Sequence, residues 1–181
     1  MKTLSLGYAK LSTKRMALLG ILIAMQIILG RFTFGPSYLK FGVTFIIVAL
    51  IAKWYGPLWG GTMAIFSDYI GNLLNGDAYY FGFTLSAIAG VVIYGLFFYN
   101  HERLSWGRII IATVLVLLIV NTFMNTLWIA QLSGLHDSAA LKLLEVRALK
   151  QLIMAPIQVI LIYTITNNRQ LESLKQLVFA D

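Results

Sequence analysis

Residues 109–130 read Ile-Ile-Ile-Ala-Thr-Val-Leu-Val-Leu-Leu-Ile-Val-Asn-Thr-Phe-Met-Asn-Thr-Leu-Trp-Ile-Ala, bounded by Arg108 and Gln131. No charge interrupts this run, and as a helix it is long enough to cross the apolar core of a bilayer. Around it the chain repeats the theme. Apolar segments fall at about 16–30, 41–54, 58–75, 81–99, 108–130 and 148–166. The second is short, and reads as extended by a turn, tilted or partly re-entrant. Composition agrees: 59% of the 181 residues are hydrophobic, 12% are charged, and mean hydropathy is +0.81. A soluble domain carries about twice that share of charge, and a disordered chain lacks such apolarity. At roughly 20 residues per span, little chain remains outside the membrane. The expectation is an all-α integral membrane protein with six transmembrane helices, residues 1–181 forming one transmembrane substrate-binding domain.

The connections carry turn chemistry. Gly30-Arg31-Phe32-Thr33-Phe34-Gly35-Pro36-Ser37 is a loop, Lys53-Trp54-Tyr55-Gly56-Pro57 a tight turn, and Asn75-Gly76-Asp77 another turn. The Ala-Leu-rich run 138–146 reads as a short surface helix. Lys2, Lys10, Lys14 and Arg15 precede the first apolar run, and no small-x-small cleavage pattern closes it, so it reads as an uncleaved span.

The net charge of +7 is read as topology, not as affinity for nucleic acid. With the N-terminus inside, Lys2, Lys10, Lys14, Arg15, Lys53, Arg103, Arg108, Arg169 and Lys175 lie on the cytoplasmic side. Arg31, Lys40, Lys142, Arg147 and Lys150 lie on the other. Counting the acids leaves +6 inside and +1 outside, so both termini are expected in the cytoplasm.

Polar groups within apolar helices are costly and mark function. Asp68, Asn72 and Asn75 share one helix face, as do Asn121, Asn125 and Trp128. Arg147, Gln151 and Gln158 form a third stripe, with Lys150 beside it, and Arg31 and Lys40 flank the first outer loop. Singly, an Asn is a helix–helix hydrogen bond and an Arg a snorkelling side chain. Three stripes at similar depth describe a pocket entered from outside. Arg31, Lys40, Arg147 and Lys150 suit carboxylates, and Asp68 and the Asn side chains suit the edge of a flat heterocycle. Trp128, Phe32, Phe34 and Tyr38 suit its faces. The ligand so described is part aromatic and part anionic. No catalytic constellation and no metal-ligand spacing appears, no cofactor is implied, and the absence of cysteine excludes thiolate sites. Without a nucleotide-binding motif or an inverted repeat, the chain reads as one that delivers its ligand to a partner. On the first helix Gly20 and Ala24, with Ala17 nearby, form a small-residue face for close helix approach.

Three stretches carry a family resemblance: Met16 to Lys40, Tyr55-Gly56-Pro57 through Ser67-Asp68-Tyr69-Ile70-Gly71, and Asn125-Thr126-Leu127-Trp128 followed by 146–158 (VRALKQLIMAPIQ). Over nearly its whole length the chain resembles the membrane-embedded substrate-binding S components of energy-coupling factor (ECF) vitamin transporters. The third stretch resembles their folate-specific branch. The resemblance implies six membrane helices, no enzymatic activity, and capture of folate from outside a bacterial cell. It also implies partnership with a transmembrane coupling protein and two cytoplasmic ATPases. Gly20 and Ala24 then match the positions that meet the coupling protein, with glycine where the family usually has alanine. Arg31 to Lys40 match its gating loop. Folate agrees with the pocket read from the polar stripes, whose expected substrate-binding set is Arg31, Phe34, Lys40, Asp68, Asn72, Asn121, Asn125, Trp128, Arg147, Lys150 and Gln151. Two other readings keep the membrane architecture: an S component for riboflavin or pantothenate, and a transporter acting alone. A third is a non-transporting membrane scaffold.

Overall fold

The structure is a computed structural model that describes residues 11–35, 40–76 and 79–180. Helix α1 (Thr13–Arg31) starts at Ser12, whose hydroxyl accepts from the Arg15 amide. Helix α2 (Phe45–Asn75) contains the decisive local feature of the fold. Gly56 adopts φ 78° and ψ 179°, and Pro57 follows it. A side chain at such a φ is strained, whereas glycine accepts it, and proline supplies no amide to continue the preceding helix. The two arms therefore double back. Ile51 Cγ2 lies 3.8 Å from where a Gly60 Cβ would stand, although nine residues of straight helix would separate the two by about 13 Å. Residues 57–75 then run alongside α1. Tyr55 donates to Arg15 O at one end (2.8 Å), and Arg31 donates to Leu74 O at the other (2.9 Å).

Helix α3 (Phe81–Phe98) packs its far end on this reversal, with Gly95 against the Pro57 backbone. Next comes a single rod: α4 (Trp106–Leu115), a π-helical run (Val116–Met124) and α5 (Asn125–Leu132). Helix α6 (Asp137–Thr166) is continuous. The surface helix expected over 138–146 is its first part, because no breaker separates those good helix formers from the apolar segment that follows. Helix α7 (Arg169–Phe179), capped by Asn168, is a short amphipathic addition beyond the apolar segments.

Among the described residues, four stretches have the length and apolarity to cross a membrane: Thr13–Arg31, Phe81–Phe98, Trp106–Leu132 and Ser138–Thr166. Their outward faces carry exposed Ile28, Leu118, Leu149, Leu152 and Ile153, as lipid contact requires. The protein is all-α and spans the membrane several times.

Buried apolar side chains gather toward the end marked by Gly56. One cluster joins Ala49 and Ala52 of α2 to Tyr94 and Phe98 of α3, Ile109 and Ala112 of α4, and Val159 and Ile162 of α6. A second joins Leu18, Leu19 and Leu22 of α1 to Leu50, Ile51, Trp54 and Tyr55. At this end the Lys53 ammonium, 1% exposed, meets three oxygens: Glu102 O at 2.8 Å, Thr166 O at 2.6 Å and Glu172 Oε2 at 3.0 Å. Burial pushes the Glu172 carboxyl up, but the hydrogen bond and charge of Lys53, reinforced by Lys175, outweigh it and hold the group below its ordinary value.

Two outcomes follow from this packing. A Cβ on Gly95 would stand 2.8 Å from Pro57 N, so Gly95→Ala should lower stability by about 1–3 kcal/mol. Gly71, with open space around it, should tolerate alanine and gain about 0.5–1 kcal/mol. Thermal unfolding in detergent checks the pair. The lowered Glu172 value means that its ion pair stabilises the fold above the ordinary carboxyl range and is lost as pH falls through the folded value. Amide-exchange protection of α7 should therefore hold at neutral pH and decline below about pH 4. Glu172→Gln should show the weakened pattern already at neutral pH.

Candidate functional site

Away from the Lys53 end the helices part around a cavity of about 430 Å³. Its wall on α3 is a stripe of Phe83, Ser86, Ala87, Gly90, Val91 and Tyr94, the i, i+3, i+4, i+7 pattern of one helix face. Those eleven residues of rise make the cavity about 16 Å deep. Small residues at Ala87 and Gly90 leave the space that larger side chains would fill. The π-helical rod contributes Val116, Val120, Asn121, Asn125 and Ile129, and α6 contributes Arg147, Lys150, Gln151, Met154 and Gln158. From the other side come Gln26 of α1, Phe45, Val48 and Ala64 of α2, and Thr33, Lys40 and Gly42 of the intervening loop.

Charge in this wall is of one sign. Among the described residues it holds Lys40, Arg147 and Lys150 and no carboxylate. Arg147, 7% exposed, donates through Nη2 to Asn121 O at 2.9 Å. Lys150 donates to Lys40 O and sits 4.6 Å from the centre of the Phe41 ring, which ties α6 to the loop after α1. That loop folds on itself through an antiparallel bridge between Phe34 and Phe41. Deeper in, the polar groups are neutral. Asn125 Nδ2 donates to Asn121 Oδ1 at 3.4 Å, while Asn125 Oδ1 and Gln158 Oε1 are buried with no donor among the described residues. Buried acceptors of this kind are costly unless a ligand or water serves them.

The residues expected at the site divide. Lys40, Asn121, Asn125, Arg147, Lys150 and Gln151 line the cavity together, and Gln158 extends their stripe inward. Arg31, Phe34, Asp68, Asn72 and Trp128 do not line it. Arg31 is exposed and caps the 57–75 arm through Leu74 O. Phe32 and Phe34 are exposed, at 61% and 75%. Asp68 accepts from Thr84 Oγ1 at 2.6 Å, and Thr84 also meets the Tyr79 hydroxyl at 2.8 Å, so Asp68 joins α2 to α3 behind the wall. Asn72 lies one turn further along the same arm, half-buried. Trp128 donates from Nε1 to Ser86 Oγ at 3.0 Å and supports the lining from outside. Tyr38 lies outside the described residues. Ala17, Gly20 and Ala24 are exposed on the outer face of α1, and among the described residues nothing stands within 4 Å of a Gly20 Cβ.

Two lining residues escaped the reading of the sequence although a signal existed. Gln26, a polar group within the first apolar run, donates to Ser67 Oγ at 3.3 Å and links α1 to α2. Ser86 belongs to the small-residue stripe of α3.

Residues 14–166 match the family described as "ECF transporter, substrate-specific component". The chain is 37% identical over 176 residues to a protein of Leuconostoc mesenteroides subsp. mesenteroides named "Folate transporter FolT", spanning 96% of this chain and 95% of that one. A protein of the same name from Clostridium novyi is 38% identical over 151 residues, spanning 82% of this chain and 85% of its own. Among solved structures, "Crystal structure of FolT bound with folic acid" aligns with a TM-score of 0.80 at 36% identity, covering 86% of this chain and 94% of that chain.

Proposed function

The chain belongs to the substrate-specific components of ECF transporters, membrane subunits that bind cargo and catalyse nothing, and from that premise we propose that its cargo is folate. One observation carries the reading: a deep cavity whose wall holds three cations and no carboxylate among the described residues. In apolar surroundings that imbalance attracts an anion far more strongly than water would allow. Folate brings two carboxylates on its glutamate and a hydrogen-bonding pterin at the other end. Arg147, Lys150 and Lys40 take the glutamate, with Arg147 able to grip a carboxylate through two N–H groups. Asn125, Gln158 and Gln151 take the pterin edge, where the unserved amide oxygens accept from ring N–H and amino groups. Riboflavin would leave the cations without a charge partner, and pantothenate would leave the deep amides without a ring.

The membrane arrangement follows from the same reading. α1, the two arms of α2, α3, the Trp106–Leu132 rod and α6 are the six spans of one transmembrane domain. The doubling back at Gly56 turns one apparent helix into two crossings. Both termini are cytoplasmic, on the strength of the basic residues at that face, and the cavity faces the exterior of a bacterial cell. Folate enters from outside, and uptake is powered by partners: a transmembrane coupling protein and two cytoplasmic ATPases. The exposed Ala17, Gly20 and Ala24 stripe on α1 meets the coupling protein, since only small side chains let two helix backbones approach closely.

Calorimetric titration of the purified chain should show one folate bound per chain. Arg147→Ala combined with Lys150→Ala should weaken binding by about 100-fold or more, as two charge-assisted hydrogen bonds are lost. Undiminished affinity in the double variant would overturn the site, and no binding by the unaltered chain would overturn the cargo. Docking is tested separately: Gly20→Leu should impair cellular folate uptake with the coupling partners present while leaving folate affinity in detergent unchanged.

A further inference from the structure

The Trp106–Leu132 rod changes its hydrogen-bond register where it lines the cavity. Over Val116–Met124 it is π-helical, whereas π geometry elsewhere is mostly confined to single-turn bulges that are frequent at functional sites. The Asn125 amide, which would serve Asn121 O in an α-helix, reaches five residues back to Val120 O instead. Thr122 Oγ1 makes a bond of the same span, to Leu117 O at 2.8 Å, and is buried. At the end of the run the Asn121 carbonyl receives Arg147 Nη2 at 2.9 Å from the neighbouring helix.

We propose that the π-helical run is a positioning device, and that the Asn121 main-chain carbonyl it presents to Arg147 orients the guanidinium toward a ligand carboxylate. The inference rests on the folate reading, in which Arg147 meets the glutamate. Its physical basis is the difference between neutral and charged partners. A buried guanidinium carries five N–H groups that are costly to leave without acceptors. An Asp or Glu partner would supply them and cancel the charge, leaving little with which to attract an anion. A carbonyl occupies an N–H and fixes the plane of the group while the positive charge stays available. In α-helical geometry the Asn125 amide would take one lone pair of the Asn121 carbonyl; here that amide goes to Val120 O. The change of register offers Arg147 a main-chain partner in a wall that holds no carboxylate among the described residues.

The test uses the full chain and two ligands, folic acid and its dimethyl ester, which lacks both negative charges. Deleting Ile119, a lipid-facing residue inside the π run, shortens the run toward α register while sparing the cavity lining. Folic acid affinity should fall about 10- to 100-fold, the loss expected of a charge-assisted contact. Ester affinity should hold. In an Arg147→Ala background the deletion should have no further effect on folic acid, because the device acts through that side chain. Thr122→Val keeps the chain length and removes the five-residue side-chain bond. It should produce the same pattern at about 2- to 10-fold, and it decides the matter if the deletion does not fold. Equal losses for both ligands, or a loss that adds to that of Arg147→Ala, would mean a merely structural role and overturn the inference. Failure of the unaltered chain to bind folic acid would overturn the cargo assignment, and this inference with it.

Discussion

A lysine ammonium buried in an apolar bundle is tolerable only if every N–H finds an oxygen, and Lys53 finds three. The oxygens come from the α3–α4 loop, the end of α6 and the start of α7, so one charge on the arm before Gly56 holds three segments that follow it by about 50 to 120 residues. Only Glu172 among them is ionised, and it is shared with Lys175. Removing that carboxylate would leave a buried cation with carbonyls alone, a much costlier state than never having buried the charge. Arg15, which donates to Phe179 O at 3.1 Å, and the edge contact of Tyr55 with Phe179 press α7 against the same end. The bundle is thus closed by a polar knot over two apolar clusters. Stability concentrated there lets the opposite half part around a cavity.

The two ends use cations in opposite ways. Lys53 is neutralised and saturated, which makes it structural. Arg147 and Lys150 meet main-chain carbonyls and an aromatic face, partners that satisfy geometry without cancelling charge. The difference separates a residue that holds the fold from one that can recruit an anion, and residue type alone does not reveal it. Lys53 and Lys150 are the same side chain, each near the end of an apolar segment, and only their partners distinguish them.

That distinction sets what was legible in the sequence. Apolar run lengths revealed the membrane helices, and Gly56-Pro57 revealed the turn, because both are local properties. The cavity set Lys40, Asn121, Asn125, Arg147, Lys150 and Gln151 was legible because intramembrane polarity is rare enough to mark its own position. A polar stripe identifies a helix face but not what that face opposes. Asp68 looked no different from Asn125, yet Thr84 across the interface accounts for it and no described residue serves Asn125 Oδ1. Arg31 shared the charge of Arg147, and its position at the end of α1 sends it to the Leu74 carbonyl instead. Helix α7 was not legible because Arg169 to Phe179 resemble a polar tail until Lys53, more than a hundred residues earlier, is placed beside Glu172. The π register was hidden for a related reason. The residues of Val116–Met124 suit an α-helix equally well, so nothing in their own propensities marks the change of register.

The cavity therefore combines two conditions that usually conflict in a membrane. Its charges must be partnered enough to be buried, and bare enough to attract. Main-chain carbonyls meet both, since a carbonyl dipole removes part of the desolvation penalty and none of the net charge. Supplying such carbonyls requires backbone that is not consumed by its own hydrogen bonds, and in lipid that is permitted only where the backbone faces protein or a water-filled space. The two carbonyls used here lie in the loop after α1, at Lys40, and at the end of the π run, at Asn121. Both places are irregular, and both line the cavity. Irregular backbone and cavity cations coincide because each makes the other tolerable.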